Sequence, residues 1–103
     1  MIWTFNSNQS ILKEIGSRLK EYRIRKNMQQ KELAVNSGVS LDTIIRMEQG
    51  GSITMDKLLS ILRTLDMLEN IEEFIPSPPI SPILLRRMQG KKKQRVRNSF
   101  KNE

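Results

Sequence analysis

Apolar residues recur at helical spacing along most of the chain. Ile11, Leu12, Ile15, Leu19 and Tyr22 form a stripe that predicts a helix from Ile11 to about Lys26. Arg18, Arg25 and Lys26 fall largely outside that stripe. Asn8 or Ser10 stands where a side chain can cap the helix start. Gln29–Ser37 reads as a second helix, too short to be stable alone, with Leu33 and Ala34 as its buried candidates. Gly38 can then adopt a left-handed turn without steric cost. Ser40 is a good N-cap for a third helix, Leu41–Gln49, with Ile44 and Met47 inward. Gly50-Gly51 ends it. Thr54 caps a fourth helix, Met55–Leu65, whose apolar residues are Leu58, Leu59, Ile61, Leu62 and Leu65. A short acidic fifth helix is expected at about Leu68–Phe74.

The two ends break this pattern. Trp3 and Phe5 alternate with Thr4, which suits a short strand or an arm that packs its aromatics on the body. Pro76, Pro78, Pro79 and Pro82 end regular structure. The chain divides accordingly into an arm or strand at 1–9, a helical body at 10–75 and a proline-led tail at 76–103. The fold class is all-α, with five helices and an extended basic tail.

Composition narrows the chemistry. The 103 residues include no cysteine and no histidine. That excludes a disulfide framework, the usual zinc sites and any triad built on histidine or cysteine. Carboxylates, lysines and hydroxyls are present, but no spacing pairs them for catalysis, so neither an enzyme nor a cofactor or metal site is expected. No apolar stretch approaches the roughly 18 residues of a membrane span. The opening MIWTFNSNQS lacks a basic region followed by an apolar run and does not read as a secretory signal. A cytoplasmic protein with an anionic partner is the first expectation, associated with the nucleoid when it is bound there.

The net charge is +7, and it is unevenly placed. Residues 1–85 hold ten Lys/Arg and ten Asp/Glu, whereas residues 86–103 hold eight Lys/Arg and one Glu. The whole surplus therefore lies in the tail. Within the neutral part, residues 13–31 carry a local +5 and residues 66–73 hold four acidic residues and no basic one.

The segment Gln30–Gln49, QKELAVNSGVSLDTIIRMEQ, meets the demands of a helix-turn-helix. Two helices that cross closely want a small residue in the first, and Ala34 supplies it. The tight turn wants glycine four residues later, and Gly38 supplies it. Leu33, Val39, Ile44 and Met47 can pin both helices to the body. Neither proline nor glycine interrupts either helix.

Over Ile11–Phe74, about 60% of the chain, the sequence resembles the XRE family of lambda-repressor-like helix-turn-helix domains. The densest match is RLKEYRIRKNMQQKELAVNSGVSLDTIIRMEQG, Arg18–Gly50. The resemblance implies a five-helix bundle that binds double-stranded DNA as a homodimer on a palindromic operator. Its third helix would lie in the major groove. It implies that Gln30 contacts phosphate and braces the reading helix, and that Arg23 and Glu48 form a structural pair joining the first helix to the end of the third. Ser40, Leu41, Asp42, Thr43 and Arg46 match the outward positions of the reading helix. Arg46 is the leading candidate for a base contact, because its fork suits guanine O6 and N7. Thr43 would meet a thymine methyl or a phosphate, and Gln49 with the Gly50-Gly51 amides would face phosphate. Two positions depart from the family. Gln29 stands where Thr or Ser usually caps the second helix, a weaker cap by roughly 1 kcal/mol. The reading helix also begins Leu-Asp, where polar or basic residues are commoner.

The tail admits three readings. Its composition fits a solvated segment. Arg86, Arg87, Lys91, Lys92, Lys93, Arg95 and Arg97 could also line a phosphate-binding arm. Ile80, Ile83, Leu84, Leu85 and Met88 are wasteful in water and suit docking on a partner. The string SPPISPILLRRMQGKKKQRVR is similar to tails of HipB-like antitoxins, which implies a HipA-like kinase toxin as partner. The functional expectation is a transcriptional repressor that doubles as the autoregulating antitoxin of a toxin–antitoxin operon. The alternative is a stand-alone or phage-type regulator without a toxin.

Overall fold

The computed structural model describes residues 1–91. It contains six helices: α1 (Asn8–Arg25), α2 (Gln30–Ser37), α3 (Leu41–Glu48), α4 (Met55–Thr64), α5 (Ile71–Phe74) and α6 (Pro82–Lys91). Single 3-10 turns form at Trp3–Phe5 and Leu68–Asn70. No strand forms among the described residues. None of these helices is long and apolar enough to cross a membrane.

Ser7, rather than Asn8 or Ser10, caps α1. Its side chain accepts from the Ser10 backbone N–H at 3.1 Å, so the helix starts three residues before the apolar stripe. Ser40 caps α3 through the Thr43 N–H and Thr54 caps α4 through the Lys57 N–H. Gln29 precedes α2 without any side-chain cap bond. The expected fifth helix is split: the 3-10 turn Leu68–Asn70 runs into the one-turn α5.

The first four helices stop in the same way. Each is followed by a residue with left-handed φ: Asn27 (55°), Gly38 (74°), Gly50 (97°) and Asp66 (60°). After each, the next N–H reaches back to close the turn: Met28 to Arg23 O, Val39 to Ala34 O, Gly51 to Arg46 O and Met67 to Leu62 O. This six-to-one bond satisfies a carbonyl that the helix end would leave open. Asparagine and aspartate tolerate this conformation better than other side chains.

The core is Leu19, Leu33, Ala34, Ile44, Met47, Ile61 and Leu65, with Leu33, Ile44 and Ile61 fully buried. α3 packs against α1 and α2, and α2 against α4. Tyr22, the last residue of the expected stripe, is 45% exposed. The inward face of α1 instead runs through Gly16, Leu19 and Arg23. At Gly16 the helix meets the backbone of α3: a Cβ there would collide with the Met47 carbonyl oxygen and lie 3.1 Å from Glu48 C.

Both ends differ from expectation. The opening residues make a 3-10 turn, not a strand. Of the two aromatics expected as packing anchors, Trp3 lies under the Arg18 guanidinium, 4.9 Å from the ring centroid, whereas Phe5 is 83% exposed. The tail is not extended throughout, because α6 occupies Pro82–Lys91. Proline suits a first helical position, where its missing N–H costs nothing.

Gly16→Ala should lower stability by about 1–3 kcal/mol through overpacking, despite the roughly 1 kcal/mol that alanine gains in a helix. At Gly38 a Cβ meets nothing within 4 Å. There alanine should cost about 1 kcal/mol through its φ alone, and Gly38→Asn less. Urea unfolding of the three variants separates the steric position from the conformational one.

Candidate nucleic-acid interface

Arg23 is a charged residue on the buried face of α1, and it finds its partner at the end of α3. Its Nε donates to Glu48 Oε2 at 2.7 Å and its Nη2 to Glu48 Oε1 at 3.2 Å. Its Nη1 donates to the Met28 carbonyl at 2.7 Å. Gln30, at the start of α2, donates from Nε2 to Glu48 Oε1 at 2.9 Å. The two charged side chains are 9% and 2% exposed. Taking an ion pair out of water costs several kcal/mol per ion, and only a closely satisfied network offsets it. This one is bidentate, and it ties α1, α2 and α3 together at one carboxylate.

That anchor sets which side of α3 faces out. Thr43, Ile44, Met47 and Glu48 are all buried. Thr43 was expected outward; it is 6% exposed, with its hydroxyl 2.8 Å from Ser40 Oγ. The reason is helical geometry, since position 43 lies one turn before Met47 and on the same face. Ser40, Leu41, Asp42, Arg46 and Gln49 remain exposed. Gln29 is exposed at the head of α2, and Gln30 is half-buried and turned to Glu48. The Gly50 and Gly51 amides, expected to face phosphate, are taken up in capping α3: they donate to Met47 O at 3.0 Å and Arg46 O at 2.7 Å.

Arg46 and Asp42 form an i,i+4 pair through Arg46 Nε at 3.2 Å, with side chains 62% and 78% exposed. Such a pair contributes a few tenths of a kcal/mol. It holds the arginine along the helix without committing its Nη nitrogens, which make no other hydrogen bond among the described residues. Lys26 and Asp66 join the ends of α1 and α4 at 2.8 Å in a similarly exposed pair.

The tail residues divide. Arg86 and Arg87 are exposed on α6, and Lys91 is its last residue. Lys92, Lys93, Arg95 and Arg97 lie outside the described residues. No group of three acidic side chains that could hold a metal ion occurs among the described residues.

Gly16 and the Met28 carbonyl are the supports that hydropathy reading missed. A glycine inside a helical pattern, seven residues before a buried arginine, was the available signal.

A helix-turn-helix family model matches residues 19–69. The match begins in α1, at Leu19, and runs through the whole Arg23–Gln30–Glu48 network. No curated protein matches the chain.

Removing one partner leaves a buried charge uncompensated. Glu48→Ala should therefore cost about 3–5 kcal/mol, a large share of the roughly 5–15 kcal/mol of a domain this size. Gln30→Ala should cost about 1–2 kcal/mol. The double replacement Arg23→Met with Glu48→Leu should recover most of the loss. Chemical denaturation of these three variants beside the unaltered protein checks the order, and a Glu48→Ala cost below about 1 kcal/mol would mean the pair holds nothing.

Proposed function

Residues 19–69 belong to the XRE-type family of helix-turn-helix DNA-binding domains of transcription regulators, and from that premise we propose that the chain is a sequence-specific transcriptional repressor. It acts as a homodimer on a palindromic operator in the cytoplasm, at the nucleoid. One observation carries this reading: α3 presents Ser40, Leu41, Asp42, Arg46 and Gln49 outward while Glu48 at its end is locked to Arg23. A reading helix has to keep its base-contacting residues in fixed register, and the buried network supplies that rigidity.

In this reading Arg46 exchanges its Asp42 contact for guanine O6 and N7. Asp42 then accepts from a neighbouring cytosine N4, or it restrains affinity by repelling phosphate. Gln29, Gln49 and the Ser40 hydroxyl lie where phosphate passes. Gln30 acts chiefly as the brace on Glu48, since its amide nitrogen is already engaged. Thr43 acts from below, by holding the Ser40 cap. Lys91, Lys92, Lys93, Arg95 and Arg97 add attraction that carries no sequence information.

A second reading is favoured by the segment after Phe74, which adds apolar and basic residues beyond the family domain. In that reading the repressor is the antitoxin of a toxin–antitoxin pair and represses its own operon. A neighbouring gene for a kinase-like toxin, whose product co-purifies with the full chain but not with residues 1–75, supports it. Equal neutralisation by the truncated protein removes the tail from the mechanism.

Footprinting on the DNA upstream of the gene should protect two half-sites centred about 34 Å apart, one helical turn. Arg46→Ala should weaken operator binding by about 1–3 kcal/mol and relax selection at one base pair of each half-site. An equal loss on all sequences would make Arg46 a phosphate contact instead. Asp42→Asn should raise affinity for unrelated DNA.

Replacing Lys91, Lys92 and Lys93 with glutamine should flatten the salt dependence of binding by about 2–3 in log–log slope, at about 0.9 per lost phosphate contact. Gel shifts over a salt series give the slope, and an unchanged slope removes these lysines from the interface.

A further inference from the structure

Two adjoining hollows lie away from α3. The larger, about 630 Å³, sits between the opening 3-10 turn, α1 and α5, and its lining includes Trp3, Ile15, Arg18, Asn70, Glu73 and Phe74. That size falls within the roughly 300–1,000 Å³ of small-molecule sites. The smaller, about 180 Å³, shares Ile15, Asn70 and Phe74 with it. Leu58, Leu62 and Ile71 complete its wall, and no charged residue lines it. A charged chamber and an apolar one therefore adjoin.

The charged chamber holds one cation and one anion, Arg18 and Glu73, and no ion pair joins them. Arg18 is held from two sides. Its Nε donates to Glu14 Oε2 at 2.8 Å, and its guanidinium lies over the Trp3 ring, 4.9 Å from the centroid. Neither Nη nitrogen makes a hydrogen bond among the described residues. A guanidinium fixed in this way can offer its remaining N–H groups to a carboxylate with little further loss of freedom. Glu73 has neither an ion pair nor a hydrogen bond among the described residues. The Asn70 carboxamide adds a donor and an acceptor to the same lining. A ligand with only a negative charge would meet Glu73, and one with only a positive charge would meet Arg18. A ligand that carries both satisfies both.

We propose that these hollows bind a free amino acid with a large apolar side chain. Its carboxylate accepts from the Nη groups of Arg18, and its ammonium donates to Glu73. Its side chain enters the chamber walled by Leu58, Leu62 and Ile71. The Arg18 side chain is 52% exposed, so each charged contact is partly screened and the affinity is modest. Trp3 is the single tryptophan of the chain and stands in the lining, so its fluorescence reports the site directly. No residue of α3 takes part, and the proposal stands or falls separately from the operator reading.

Titration of the full chain without DNA tests the proposal, with L-phenylalanine and L-leucine as probes and Trp3 emission and calorimetry as readouts. At least one probe should bind saturably, with a Kd of about 1 mM or tighter. Blocking its ammonium by N-acetylation, or its carboxylate as the amide, should each weaken binding by at least about fivefold. Two variants then assign the contacts. Glu73→Gln should remove the discrimination against the N-acetyl form, and Arg18→Gln the discrimination against the amide, as the two arms of a double-mutant cycle. Both positions are exposed, and circular dichroism verifies that each variant folds. A merely structural role of either side chain would weaken the free and blocked forms alike, and that result overturns the proposal. So does a chain that binds the blocked forms as tightly as the free amino acid, or one that binds neither probe up to about 10 mM.

Discussion

A guanidinium and a carboxylate, both withdrawn from water, meet where α1, α2 and α3 come together. The rest of the domain is arranged around the condition that this pair be satisfied. Arg23 spends three donors there and Glu48 uses both oxygens, one of them twice. The Schellman turn after α1 turns the Met28 carbonyl back toward Arg23, and left-handed Asn27 makes that turn possible. Gly16 lets α1 lie against the α3 backbone, so that Arg23, two turns later, reaches Glu48 without stretching. Loosen any of these and the pair becomes a cost instead of a brace, because buried charge is stabilising only when its geometry closes.

The exposed pairs obey a different arithmetic. Glu14–Arg18, Glu21–Arg25 and Asp42–Arg46 are all i,i+4 and all in water, where screening and side-chain entropy leave each with only tenths of a kcal/mol. This contrast has a functional meaning. Glu48 must not move when the protein meets DNA, and its burial makes movement expensive. In the proposed reading Arg46 has to move, and its exposed partner holds it lightly enough for one hydrogen-bonded base to outbid it. The same short helix thus carries a fixed residue at its end and an exchangeable one two positions earlier.

Much of this was legible in the sequence. Ser40, Gly38 and the core positions Leu33, Ala34, Ile44 and Met47 follow from propensity and spacing, and they reappear as a cap, a left-handed turn and a packed centre. The inward face of α1 was not legible from hydropathy, because it is built from a glycine, a leucine and an arginine. Tyr22 completed an apolar stripe on paper while Arg23 took the buried place beside it. Thr43 misled for a related reason: a small polar residue in a reading helix looks available, yet its hydroxyl is used within the helix. The ends of α1 and α4 were legible within a residue or two, but the left-handed turns at Asn27 and Asp66 were not, because neither residue is glycine. α6 was obscured by its prolines, which end regular structure in most settings but begin it at Pro82.

Charge placement ties these observations together. The body concentrates its cations on and just after α1, and its net charge up to residue 85 is zero. A neutral body gains little from long-range attraction to DNA, so in the proposed reading fixed geometry at α3 has to supply discrimination, while the tail's surplus charge supplies attraction. The two tasks have opposite sensitivities. Attraction through lysines and arginines in water decays with ionic strength, whereas a reading helix braced by a buried pair keeps its register at any salt. Separating them along the chain lets one change without disturbing the other.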